Sequence, residues 1–176
     1  MLPSEFPKKS TVYYYFKLWS ENPSETESSL LEQALKTVVG EAREALGSNA
    51  TPTLLIVDAQ SVKNTDTANQ KGYDAGKKVS GIKRHIAVDT QGFPHAIAVT
   101  TADVTDRQGV LQALSARKSS LTDVTSVLAD GGYTGEPFAE AIHTMLGASV
   151  QIAKRSELHT FVVPQRWIVE RLFKLI

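Results

Sequence analysis

The sequence predicts an α/β domain built on a mixed sheet, and three observations carry that expectation. A short all-apolar run, 54–57, and a second short apolar strand, 126–129, each stop at an aspartate, as buried strands do. Two runs rich in β-branched residues, 83–90 and 93–100, are separated only by Gln91-Gly92, the spacing of a tight antiparallel hairpin. Stretches with helical spacing, 103–116 and 136–146, alternate with the later strands, which makes those strands parallel neighbours joined by crossovers.

Taken in order, Lys8-Lys9-Ser10-Thr11 followed by 12–19 predicts a helix capped by Ser10 or Thr11, with Tyr13, Phe16 and Leu18 available for packing. The Tyr13-Tyr14-Tyr15 run within it suits packing and base or phosphate contact equally. Glu21-Asn22-Pro23-Ser24 breaks this helix, and a second helical pattern covers 25–46, closed by Gly47-Ser48-Asn49. Residues 24–29 are polar enough to be a linker or a frayed start. The strand at 54–57 places Asp58 at its C-terminal end, and 63–81, polar and carrying Gly72, Gly76 and Gly81, reads as an irregular excursion. After the hairpin and the helix at 103–116, the strand at 126–129 ends at Asp130-Gly131-Gly132. A helix at 136–146 stops at Gly147, a fifth strand covers 149–153, and a last helical pattern starts at Val163. Three antiparallel strands followed by strands joined through helices is the order of a ribonuclease H-like fold, with a mixed five-stranded sheet flanked by helices. The expected division is a helical N-terminal segment at 1–48 and the α/β domain at 49–176.

A chain of 176 residues, 41% hydrophobic, can bury one sizeable core. It has no cysteine, which excludes disulfides and thiolate metal sites and leaves oxygen or imidazole for any metal. Hard cations such as Mg²⁺ suit that inventory. No apolar stretch approaches the ~18 residues of a membrane span, and no secretory leader opens the chain, so a cytoplasmic protein without a membrane partner is expected. With 19 basic and 19 acidic side chains, the whole molecule exerts no general pull on nucleic acid. Local basic patches do exist: Lys71, Lys77, Lys78, Lys83 and Arg84 in the middle, and Lys154, Arg155, Arg166, Arg171 and Lys174 near the end.

An aspartate at the end of a buried strand has a rigid backbone and a side chain at the sheet edge, which is how a metal ligand is held at fixed range. Asp58 and Asp130 share that arrangement, and two carboxylates on neighbouring strands need a cation between them. Glu170, in Arg166-Trp167-Ile168-Val169-Glu170-Arg171, is the third candidate. Singly, each acid has a plain explanation: a turn for Asp58, an Asp-Gly turn for Asp130, a helical ion pair with Arg166 or Lys174 for Glu170. Together they have the composition of a two-metal phosphoryl-transfer site. His85, His95, His143 and His159 lack zinc-ligand spacing and are read as structural.

Several blocks also resemble a known family. Val57-Asp58-Ala59-Gln60-Ser61-Val62-Lys63, the stretch from Gly76 to His85, Ala129-Asp130-Gly131-Gly132-Tyr133-Thr134-Gly135, and the stretch from Arg166 to Arg171 resemble, in order, blocks of the DDE transposases of bacterial insertion sequences. The likeness is to the group named for the fifth insertion sequence, and residues 7–19 are similar to the close of that group's DNA-binding region. The resemblance implies Asp58, Asp130 and Glu170 as catalytic residues holding two Mg²⁺ ions, with Mn²⁺ able to substitute, and strand cleavage followed by transfer of a 3′-hydroxyl to target DNA. It implies double-stranded DNA as partner, both transposon ends and target, with a homodimer on paired ends. Lys77, Lys78, Lys83 and Arg84 are expected at DNA phosphates, the alternative being a mobile basic loop; Arg166 and Arg171 are expected to hold a phosphate or balance the acids. Relative to the family the chain reads as truncated at both ends. That leaves two further readings: a catalytically weak remnant that binds DNA, and a ribonuclease H-like nuclease or resolvase without end specificity.

Overall fold

In the computed structural model, which describes residues 5–24, 27–65 and 69–153, the strand that begins at Leu54 continues well past Asp58. Strand β1 spans Leu54–Lys63. Its polar second half stays extended because an antiparallel partner, β3 (Val79–Val88), satisfies its backbone from Ile56↔Val88 to Lys63↔Gly81. Asp58 is therefore mid-strand, opposite Ile86, rather than at a strand end. The expected excursion at 63–81 is also partly ordered: Gly72–Asp74 forms a short strand, β2, antiparallel to the first residues of β3.

Strand β4 (Pro94–Thr101) lies antiparallel along the rest of β3, and the turn between them is built on one buried carboxylate. Asp89 Oδ1 accepts from the backbone N–H of Gln91 at 2.8 Å and of Phe93 at 3.0 Å, and its Oδ2 meets His95 Nε2 at 3.0 Å. Strand β5 (Ser126–Asp130) runs parallel to β1, and β6 (Ser149–Ala153) runs parallel to β5. With β4 beside β3, the main body reads β4-β3-β1-β5-β6. This is the ribonuclease H-like arrangement that the element order predicts, with β2 as an addition at one edge.

Helices α3 (Asp106–Ser115) and α4 (Glu136–Leu146) supply the crossovers and cover one face. There Leu55, Val57, Ala87 and Val127 of the sheet join Val110 and Leu114 of α3 and Phe138 and Ile142 of α4 in the main core. α3 starts at Thr105, whose hydroxyl accepts from Gln108 N–H, and α4 stops at Gly147, whose φ of 70° is the left-handed conformation that glycine adopts cheaply. Ile56, Ile86, Val88 and Leu128 make a smaller cluster on the opposite face, as strand alternation requires.

The chain divides into two units, Met1–Ala50 and Thr51–Ile176, and the first holds two helices. In it α1 spans Lys9–Ser20 and α2 spans Leu30–Ala45. The N-cap of α1 is Lys8, without a side-chain bond, so Ser10 and Thr11 lie inside the helix. Tyr13, Phe16 and Leu18 are exposed instead of packed. α2 begins five residues later than its apolar periodicity suggests because Ser29 and Glu32 form a reciprocal capping box, Ser29 Oγ accepting from Glu32 N–H and Glu32 Oε2 from Ser29 N–H. The helix expected from Val163, and with it Glu170, Arg166 and Arg171, lies outside the described residues.

Candidate functional site

The parallel ladder between β1 and β5 pairs Leu54↔Ser126, Leu55↔Val127 and Ile56↔Leu128, and then the two strands part. Two residues further along each strand stand Asp58 and Asp130. They occupy equivalent positions beyond the last paired step, and alternation puts both on the face of Ile56 and Leu128, away from α3 and α4. The sequence placed both acids at strand ends; what brings them together is the end of a pairing, since β1 itself continues. Each carboxylate is fixed locally. Asp58 Oδ1 accepts from Ala59 N–H at 2.7 Å, and Asp130 Oδ1 accepts from Gly132 N–H at 2.8 Å. Arg107 of α3 braces the second turn by donating from Nε to the Gly132 carbonyl at 3.0 Å.

Paired carboxylates on rigid neighbouring strands are hard oxygen donors of the kind that Mg²⁺ or Mn²⁺ takes. Among the described residues, no group of three His, Cys, Asp or Glu side chains is arranged to hold a metal. The described part of the site thus offers two donors.

The basic candidates separate by address. Lys83 is only 4% exposed. Its ammonium meets Asp106 Oδ1 at 2.8 Å and Asp74 Oδ2 at 3.1 Å, and donates to the Val104 carbonyl at 2.8 Å. Three N–H donors meet three acceptors, so none remains for a DNA phosphate, and the expectation for Lys83 is corrected on that ground. Burial alone would lower its pKa, but hydrogen bonds to Asp106 and Asp74 outweigh burial and raise it. Asp74 is held well below the carboxylate range, first by the Ser61 hydroxyl at 2.6 Å, then by Lys77 N–H and Lys83.

Lys77 is exposed; its Nζ donates to the Ala59 carbonyl at 3.0 Å and meets Asp106 Oδ2 at 3.2 Å. This ties the β2–β3 loop to the residue after Asp58. Lys78, also exposed, sits at the turn of that loop with φ of 54°. Arg84 bonds Gln60 Oε1 through Nη2 and stands on the Asp58 face of the sheet, opposite Gln60 in the ladder.

His85 is fully buried on the other face, its Nε2 2.9 Å from Thr100 Oγ1, and burial pushes its pKa down to about 4. Asp74, Asp106, Ser61 and Tyr133 were not singled out from sequence. Strand alternation carried a signal for part of this: Lys83 shares parity with His85 and Ala87, the face that α3 covers.

The sequence at residues 49–176 matches the model of a family described as the transposase DDE domain. No protein of curated function matches the chain. Among solved structures, it is similar to a chain of the simian T-cell lymphotropic virus intasome in complex with PP2A regulatory subunit B56 gamma, at 15% identity and a TM-score of 0.48, over 70% of this chain and 38% of that one. It is also similar to the Mos1 mariner paired end complex with Mn, at 9% identity and a TM-score of 0.35, over 80% of this chain and 49% of that one. The Mos1 transposase paired-end complex with left transposon end gives 12% identity and a TM-score of 0.35, over 81% and 49%. The chain thus corresponds to less than half the length of each. The match over residues 49–176 covers most of the sequence, and the chain belongs to the transposase DDE domain family.

Proposed function

We propose that this chain is the catalytic part of an insertion-sequence transposase, of the group named for the fifth insertion sequence, that cleaves DNA at the element's ends and transfers the freed strand. The observation that carries the proposal is the placement of Asp58 and Asp130 on one face, each two residues past Ile56↔Leu128, the last paired step of β1 and β5. Glu170 is the third carboxylate of the proposal. Two divalent cations, when bound, supply the charge that activates the attacking oxygen and stabilises the leaving one.

The chain's own residues do the rest. Backbone N–H groups of Ala59 and Gly132 fix the aspartates before any ligand arrives, so no reorganisation is needed at the moment of reaction. Lys77, Lys78 and Arg84, with Arg166 and Arg171, are the proposed phosphate contacts, positioning DNA without reading its sequence. A homodimer on paired DNA ends completes the proposal, resting on the family resemblance of the sequence blocks. No described helix is long and apolar enough to cross a membrane.

The test is nicking of duplex DNA carrying the element's terminal repeats, with Mg²⁺ or Mn²⁺ and with neither. Metal-dependent nicking confined to those ends supports a transposase. Nicking that ignores end sequence favours a nuclease, and DNA binding with no nicking makes the chain a binding remnant.

A further inference from the structure

The turn that carries Asp130 has little of its own to hold it. Gly131 and Gly132 follow the aspartate directly, both exposed, and around Gly131 there is open space where a side chain would stand. Two adjacent glycines leave the backbone wide conformational freedom. The order of the turn therefore comes from hydrogen bonds, and Gly132 has one at each of its backbone groups. Its N–H donates to Asp130 Oδ1 at 2.8 Å, and its carbonyl accepts from Arg107 Nε at 3.0 Å.

The contact with Asp130 is close. A Cβ on Gly132 would stand 3.0 Å from the same Oδ1, so the carboxylate lies against the glycine and its orientation follows the glycine's position. Arg107 comes from the first turn of α3 and meets Gly132 past the last residue of β5, so the link does not pass through the sheet. Its two steps, guanidinium to Gly132 and Gly132 to carboxylate, are both hydrogen bonds of ordinary length. Thr134 supplies another side-chain bond to the turn, from Oγ1 to the carbonyl of Gly131 at 2.9 Å rather than to Gly132.

We propose that Arg107 is a positioning residue for Asp130: by pinning the Gly132 carbonyl it fixes the N–H that orients the Asp130 carboxylate toward a divalent cation. The inference rests on the reading of Asp58 and Asp130 as a metal site. Hydrogen-bond partners behind metal ligands alter affinity about 10–100-fold when removed, and Arg107, one step further back than the direct partner, belongs at the low end. The guanidinium carries five N–H donors, so a DNA phosphate is its rival partner at this exposed turn.

The experiment is Mn²⁺ titration of the full chain without DNA, followed by electron paramagnetic resonance, beside thermal melting and the salt dependence of DNA binding. Wild type, Arg107→Met, Thr134→Val and Asp58→Asn are compared. Arg107 is exposed, so Arg107→Met is expected to melt as wild type yet bind Mn²⁺ about 10-fold more weakly. Thr134→Val, which loosens the same turn without releasing Gly132, is expected to bind Mn²⁺ as wild type. Wild-type Mn²⁺ affinity in Arg107→Met overturns the inference, and a log–log salt slope shallower by about one would then assign the guanidinium to a DNA phosphate. An equal loss of affinity in Thr134→Val, or an Arg107→Met chain that fails to fold, overturns it too, because the general order of the turn would then be the cause. Wild type binding no more Mn²⁺ than Asp58→Asn would instead remove the metal site itself, and the role of Arg107 with it.

Discussion

At the scale of single residues, charge alone says little until the address is known. Lys77, Lys78, Lys83 and Arg84 look alike in sequence, yet Lys83 has its three donors engaged inside the protein while Lys78 is exposed on a loop. Replacing Lys83 with methionine keeps the length of the side chain and strands two carboxylates. Urea unfolding is expected to show a loss of about 3 kcal/mol, the low end for breaking a buried pair because Asp106 is partly solvated. The salt dependence of DNA binding, measured by fluorescence anisotropy, should stay as in wild type. A log–log salt slope shallower by about one would mean that Lys83 meets a phosphate after all. The aspartates were legible because each ends an apolar run; the Asp74–Lys83–Asp106 cluster was not, since it joins β2, β3 and α3 across sequence distances that no local pattern spans.

Elements that carry their own punctuation were readable, and elements defined by a partner were not. The helix at 136–146 and the strand at 149–153 match α4 and β6, because Gly147 separates them and its left-handed φ has a local cause. β1 overran its apolar run, and β2 arose in a polar, glycine-bearing stretch, because β3 supplies hydrogen bonds that composition does not announce. The same contrast marks α3. Gly109 lowers its helix propensity, but a Cβ there would lie 2.1 Å from the His85 ring. Gly109→Ala should therefore lose about 1–3 kcal/mol in chemical denaturation, against the gain expected of an exposed helix. A stabilised Gly109→Ala protein would show that His85 does not pack against this helix.

For the molecule as a whole, zero formal charge hides a separation of roles. Lys83 and Lys77 meet Asp74 and Asp106 in one cluster, while the proposed site lies on the Asp58–Asp130 face. The buried groups also set how stability varies with pH. His85 has a folded-state pKa of about 4 against an ordinary 6.5, so between these values the unfolded chain binds a proton that the folded one excludes. Its contribution is full above pH 6.5 and falls as pH drops toward 4, by about 3 kcal/mol at most. Asp74, also depressed, adds stability above its ordinary 3.8 that is lost at still lower pH. Urea midpoints taken between pH 7 and 4 should fall, and His85→Gln should flatten that decline; an equal slope in the variant would assign it to other groups.

The central claim is that Asp58 and Asp130 form one metal-holding site, and its most direct measurement is end-specific nicking with Mg²⁺ for wild type, Asp58→Asn and Asp130→Asn. Each variant removes a charge without removing the side chain's volume. Both are expected to fold as wild type, bind DNA and lose nicking on the order of 10³-fold, the effect of several kcal/mol of lost charge stabilisation. Nicking that survives in either folded variant would contradict the account.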